Sequence, residues 1–309
     1  MQDAAEMCRL AMECYQTEPS RAVDLFSMAA EQGSPEGMFG LAEMKLNGYG
    51  TDKDVEGAVH LYTRSAEAGN PPAMFRLGTI FSESDDVPED PCSSARWFEM
   101  AAEAGMPQAY PKIAGMYMNG YGVEQDLSKA FTYYEKAADT GDPVSMFVLG
   151  YMYEEGIGVG KDIDESVRWF RMSAVKGVPE AQFRMAALCE KGIIQGGEEM
   201  AARWYETASN QGYMPARSVL ASLYYDGKGV QKDPEKAFRL FDDVASTGDA
   251  DALFMTARML FEGVGTEQDL EEAMRRFARS ASAGNQMAME FIENLRRRQN
   301  TQFIKIDGL

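Results

Sequence analysis

Glycine recurs at positions 33, 69, 105, 141, 177, 212, 248 and 284, giving six intervals of 36 residues and one of 35. A chain with so strict a period is one small supersecondary unit stacked many times. Stacked units make extended surfaces more readily than they make an enclosed catalytic pocket. The neighbours of each glycine repeat with it. Seven residues before it stands an aromatic (Phe26, Tyr62, Phe98 and so on to Phe277), and three before it a small residue such as Ala30, Ala66 or Ala102. Four after it stands another small residue, as at Gly37, Ala73 and Ala109. A spacing of four on a helix puts ring and small side chain on one face. The small residues admit a neighbouring helix and the ring fills the remaining space. Each periodic glycine thus predicts a left-handed C-cap, and the prolines soon after it (Pro35, Pro71, Pro143, Pro179) predict the start of the next helix.

A second signal marks the other turn of each unit. Gly-X-Gly stands at Gly48–Gly50, Gly120–Gly122, Gly156–Gly158, Gly227–Gly229 and Gly263–Gly265. Four residues beyond each pair comes Asp54, Asp126, Asp162, Asp233 or Asp269, with Asp90 equivalent in the unit that lacks the glycines. Aspartate is a strong N-cap, and Asp162 with Glu165 and Asp269 with Glu272 have capping-box spacing. Every unit therefore reads as helix A, glycine loop, helix B, short turn.

These residues resemble the Sel1-like repeat, a cousin of the tetratricopeptide repeat. The fourth unit shows the pattern as Ser145, Leu149, Gly150, Tyr153, Gly156, Gly158, Val159, Asp162, Trp169, Phe170, Ala174 and Gly177. The extra length and the Gly-X-Gly loop separate it from the 34-residue tetratricopeptide unit. The resemblance covers residues from about 20 to 295. It implies an all-α, right-handed α-α superhelix of about eight helix-turn-helix repeats. The chain reads as one solenoid over residues 1–300, with an N-terminal capping helix in 1–19, a C-terminal capping helix in 286–298 and a tail in 301–309. Arg296, Arg297 and Arg298 are expected at the C-terminal end of that last helix, where cations favour the dipole. Phe303, Ile304, Ile306 and Leu309 in the tail either dock or stay disordered.

Two units depart from the pattern. The second carries an acidic loop, Ser82 to Glu89, without the ligand spacing of a calcium loop. The fifth is one residue short and carries Ile193 and Ile194 among glycines, a contact point if they are exposed.

The 49 carboxylates against 30 Lys and Arg give a net charge of −19. That disfavours nucleic acid and anionic membranes, which need a basic surface; the charge either serves simple solubility or favours a cationic protein or peptide partner. No apolar run reaches the roughly 18 residues of a spanning helix, so no membrane insertion is expected. No signal-peptide pattern opens the chain. Cys8, Cys14, Cys92 and Cys189 lack the regular pairing of some secreted relatives, which points to a reducing, cytoplasmic setting. The single histidine, His60, has no nucleophile beside it in any motif, and no Cys/His cluster offers a metal site. The reading is of a protein that is not an enzyme and uses no metal or cofactor.

By resemblance to tetratricopeptide-like stacks, the A helices line a concave groove. One A-helix position is Phe39, Phe75, Phe147, Phe183 and Phe254 in five units. These rings either pack helix on helix or meet a partner. The expected partner-binding residues on this face are Asn119, Phe147, Tyr151, Glu154, Glu155, Phe183, Glu190, Tyr225 and Asp226. Rings there would pack a side chain, the amide would hold backbone groups, and the acids would meet Lys or Arg. The function expected is a scaffold or adaptor that binds a peptide segment or partner protein. The alternative is a cell-wall or β-lactam hydrolase, as in the cysteine-rich relatives.

Overall fold

The computed structural model describes the backbone of residues 3–306 and the side chains of residues 3–297. Among the described residues there are seventeen α-helices and no strand. They divide into two compact units, Met1–Ser166 and Val167–Leu309. The first unit holds α1 (Ala4–Cys14), α2 (Pro19–Glu31), α3 (Pro35–Asn47), α4 (Val55–Glu67) and α5 (Pro71–Glu83). It continues with α6 (Pro91–Glu103), α7 (Ala109–Asn119), α8 (Leu127–Asp139) and α9 (Pro143–Glu155), and the division falls inside α10 (Ile163–Val175). The second unit holds α11 (Pro179–Glu190), α12 (Gly197–Asn210), α13 (Met214–Asp226), α14 (Pro234–Ser246), α15 (Ala250–Glu262), α16 (Leu270–Ser282) and α17 (Gln286–Ile306). Odd-numbered helices are A helices and even-numbered ones are B helices. Consecutive helices pack on one another from α1 to α9 and from α11 to α17, which is the all-α stack of hairpins that the period predicts.

The predicted caps form. Backbone N–H groups of Gly57, Ser93, Lys129, Lys236 and Glu272 donate to the side chains of Asp54, Asp90, Asp126, Asp233 and Asp269 at 2.8–3.1 Å. The A helices have their own caps, which the period does not advertise: Ser34, Asp142 and Asp249 accept at 3.1, 2.7 and 2.8 Å. The second glycine of the loop does more than turn the chain. Gly122 has φ +72°, and a Cβ there would lie 2.0 Å from the carbonyl oxygen of Pro91 in the preceding repeat. Only glycine allows the loop to seat on the first turn of that earlier B helix. The second glycine of each Gly-X-Gly pair is thus an inter-repeat packing element.

The recurring A-helix phenylalanines pack inside their own hairpin. Phe39 meets Tyr62, Phe75 meets Phe98, Phe183 meets Tyr205 and Phe254 meets Phe277, with ring centroids 5.3–5.7 Å apart and planes at 61–63°. This edge-on geometry is the favoured one for buried rings. The B-helix ring is buried in each case, and Met44, Met152 and Met259 are fully buried as well.

The ends differ from expectation in one respect. α1 forms an ordinary hairpin with α2, but α17 does not stop at residue 298. No Gly or Pro interrupts the sequence between 286 and 306, so the helix runs on to Ile306. Arg296 and Arg297 therefore lie inside the helix and not at its end, with Arg297 3.2 Å from Glu293. The docking of Phe303, Ile304, Ile306 and Leu309 lies outside the described residues. In the acidic loop of the second repeat, Glu83 and Asp86 pair with Lys112 and Lys53, both at 2.7 Å. In the short fifth repeat Ile193 is 46 % exposed, while Ile194 packs on the core of the second unit.

Candidate functional site

The nine residues singled out on the A helices fall into two groups. Asn119, Phe147, Tyr151, Glu154 and Glu155 belong to the first unit, and Phe183, Glu190, Tyr225 and Asp226 to the second. Tyr151, at 38 % exposure, does reach solvent, and the exposed Glu155 lies 3.8 Å from Lys161. The Asn119 amide donates at 3.0 Å to the Gly115 carbonyl, one turn back in its own helix.

In the second unit the same positions are already engaged. Phe183 lies between the rings of Tyr205 and Tyr213, and the Tyr205 hydroxyl donates to Glu190 at 2.8 Å. Burial first, then the Glu190 carboxylate, pushes that phenol well above its usual range. Arg258 donates to the Tyr225 hydroxyl at 3.1 Å and sits 5.8 Å from its ring centroid, with Lys232 at 5.9 Å. Tyr225 thus carries the protein's own cations, where the sequence pattern predicts an acid-flanked ring open to a partner's. Asp226 is 3.8 Å from Lys228.

The first unit holds a cavity of about 590 Å³ that the nine positions do not include. Three successive A helices line it: Cys8 and Met12 of α1, Glu36, Phe39, Gly40 and Glu43 of α3, and Pro72, Phe75 and Arg76 of α5. Tyr15, Phe26 and Met106 complete the wall. The floor is mostly apolar, and Met12 stands 67 % exposed at its edge. Glu43 is held from two sides: the Tyr62 hydroxyl donates to it at 2.7 Å, and the Arg76 guanidinium approaches within 2.8 Å. Burial and then this carboxylate raise the Tyr62 phenol far above its ordinary value, so it stays a donor. Phe39 and Phe75 belong to the A-helix phenylalanine column that the sequence singles out, and Glu43 stands one helical turn beyond Phe39. Gly40, Met12 and Arg76 are the members that sequence reasoning misses.

Another polar constellation recurs and so marks scaffold. The Tyr117 hydroxyl donates to Glu99 at 2.6 Å and accepts from Lys129 at 3.1 Å. At equivalent repeat positions, Tyr224 donates to Glu206 at 3.3 Å while Lys236 reaches Tyr224 at 2.6 Å and Glu206 at 3.0 Å.

Charge is divided unevenly. Residues 1–166 carry 29 carboxylates against 11 Lys and Arg, a net of −18, whereas residues 167–309 carry 20 against 19, a net of −1. His60 is exposed, and all four cysteines are free. Among the described residues no group of three or more His, Cys, Asp or Glu is placed to hold a metal ion, and no helix is long and apolar enough to cross a membrane.

The sequence matches the Sel1 repeat in eight segments: residues 7–34, 35–70, 71–106, 108–142, 143–178, 179–213, 216–242 and 250–285. The fold is similar to that of a Sel1 repeat protein from Oxalobacter formigenes, at 27% identity and a TM-score of 0.76, over 94% of this chain and 86% of that one. It is also similar to c5321, a protective antigen of uropathogenic Escherichia coli strains, at 26% identity and a TM-score of 0.70, over 92% of this chain and 70% of that one. No curated protein matches the sequence.

Proposed function

The chain belongs to the Sel1-repeat family, and on that footing we propose that it is a non-enzymatic scaffold that binds a segment of another protein along its A helices. The observation that carries this reading is the cavity lined by three successive A helices in the first unit. It pairs an apolar floor with carboxylates at its edge, the anatomy of a recognition surface for a side chain and its flanks. The acidic positions Glu154 and Glu155 extend the same chemistry along α9.

A cytoplasmic setting fits four unpaired thiols, since disulfides accumulate in oxidising compartments. The hydrolase alternative draws on relatives with paired cysteines, a feature that the free Cys8, Cys14, Cys92 and Cys189 do not supply.

Affinity capture with the full chain from its native lysate tests the scaffold reading. It is expected to return a saturable protein partner whose recovery falls when Glu154, Glu155 and Asp226 are all changed to Lys. Failure to recover any saturable partner overturns the scaffold reading, while capture that is indifferent to the triple change moves the contact away from those residues.

A further inference from the structure

Two local departures from the repeat open the cavity of the first unit. The first is Gly40. At the equivalent position the hairpins that follow carry Arg76, Lys112, Val148, Arg184, Val219 and Met255. A Cβ at Gly40 would lie 2.5 Å from the Phe26 ring, so the glycine is what allows that ring to lie against α3. The second is α1 itself, which contains no aromatic residue. In α3 and α5 a phenylalanine lies edge-on to the ring of its own B helix. Phe26 has no such partner from α1, and its ring faces the cavity instead.

What results is an unfilled apolar space, and its volume falls within the roughly 300–1,000 Å³ of pockets that hold compact ligands. Its surroundings specify the charge of an occupant. Arg76 is the one cation among the lining residues, and it is already paired with Glu43. Glu36 is exposed at the rim, in a unit whose net charge is −18. An acidic segment would be repelled here. A basic one is drawn in over a distance set by the Debye length, about 10 Å at 0.1 M salt. Exposed Met12 gives the edge a flexible apolar contact that adapts to the side chain entering.

We propose that this groove binds a basic amphipathic segment of a partner protein. A bulky aliphatic or aromatic side chain inserts over Gly40, and Lys or Arg residues beside it lie against Glu36 and the acidic surface of the first unit. This rests on the scaffold reading and gives it an address and a ligand chemistry.

The test uses a phage-displayed library of random peptides of about twelve residues, selected on the full chain. Enriched sequences are then synthesised and their affinities measured by fluorescence anisotropy on wild type and on M12K, E36K, G40R and E124K. Enriched peptides are expected to pair a bulky apolar residue with two or more Lys or Arg. M12K should weaken them by about tenfold, near 1.4 kcal/mol, and E36K by about threefold. E124K, an exposed acid of the same unit outside the groove, should change affinity less than twofold. G40R fills the space with the side chain that the next repeat carries, and circular dichroism checks that it folds. Met12 is exposed, so M12K keeps the test decisive if G40R does not fold.

Enrichment of neutral or acidic peptides, no saturable enrichment, or equal binding by M12K and wild type overturns the proposal. A lysate partner captured equally by wild type and M12K ends the groove while leaving the scaffold standing. The absence of any partner ends the scaffold reading itself.

Discussion

The two units are built from the same hairpin and differ in what they present. In the first, Gly158 seats its loop on the Leu127 carbonyl, where a Cβ would lie 2.1 Å from the oxygen; in the second, Gly229 does the same on Glu198 at 2.2 Å. Each unit has its edge-on ring pairs and a Tyr-Glu-Lys network. Yet the first unit has a net charge of −18 and the second −1, and the apolar cavity lies in the first. The period constrains only the positions that bury against a neighbouring helix or loop. Outward positions are left to diverge, and there the two units have taken different chemistry.

If the scaffold is common to both, damaging it should cost the same in either unit. Gly158→Ala and Gly229→Ala each force a Cβ into a carbonyl at φ +69° and +65°. Each should lose about 2–4 kcal/mol, more than left-handed strain alone. Gly105→Ala meets nothing within 4 Å at φ +82° and should lose only about 1–2 kcal/mol. Hydrogen exchange of the flanking helices in the full chain reads each unit separately, and a markedly unequal pair would break the equivalence. The networks sharpen the same point at smaller scale. Tyr117→Phe and Tyr224→Phe each remove a hydroxyl bonded to a carboxylate and an ammonium, and each should cost about 1–2 kcal/mol by the same readout.

Most of the fold is legible in the sequence because its signals are local. A glycine that ends a helix and an aspartate that starts one depend on a few adjacent residues, and repetition multiplies the signal. The turn glycines all sit at φ between +82° and +98°, as their period predicts. The groove is less legible because it is defined by missing side chains. Gly40 means something only beside Arg76 and Lys112 in the same repeat column, and only once Phe26 is known to lie against it. Tyr225 reads as a free ring because its cation, Arg258, stands 33 residues away on the next A helix. The split in charge could have been found by summing each half, but the units that give the sum its meaning come from packing.

Charge gives the next contrast. Self-repulsion in the first unit opposes compaction, and added salt screens it. Raising salt from low ionic strength to about 0.5 M, where the Debye length is well under 10 Å, should slow hydrogen exchange severalfold in helices α2–α8. Helices α12–α16 should change little. Equal responses in both units would show that the −18 is already neutralised by local pairing.

The smallest contrast concerns two caps. Asp54 accepts from the Gly57 N–H at 2.8 Å and from Lys45 at 2.7 Å, whereas Asp233 accepts from the Lys236 N–H at 2.9 Å with a tyrosine, Tyr224, in the repeat position of Lys45. The Lys45 hydrogen bond, then the Gly57 N–H, holds the Asp54 carboxyl below its ordinary range. A carboxyl lowered in this way contributes fully above its unfolded pKa, about 3.9, and the contribution is lost as pH falls through the lower folded value. Asp54→Asn keeps a capping oxygen but gives up the ion pair, so at neutral pH it should loosen the first turn of α4 slightly more than Asp233→Asn loosens α14. That excess should vanish once the pH is low enough to protonate Asp54 in the wild type. Amide exchange and NMR shifts across α4 and α14 give the comparison. An excess that persists in acid would mean that Lys45 holds the cap by packing its stem and not by charge.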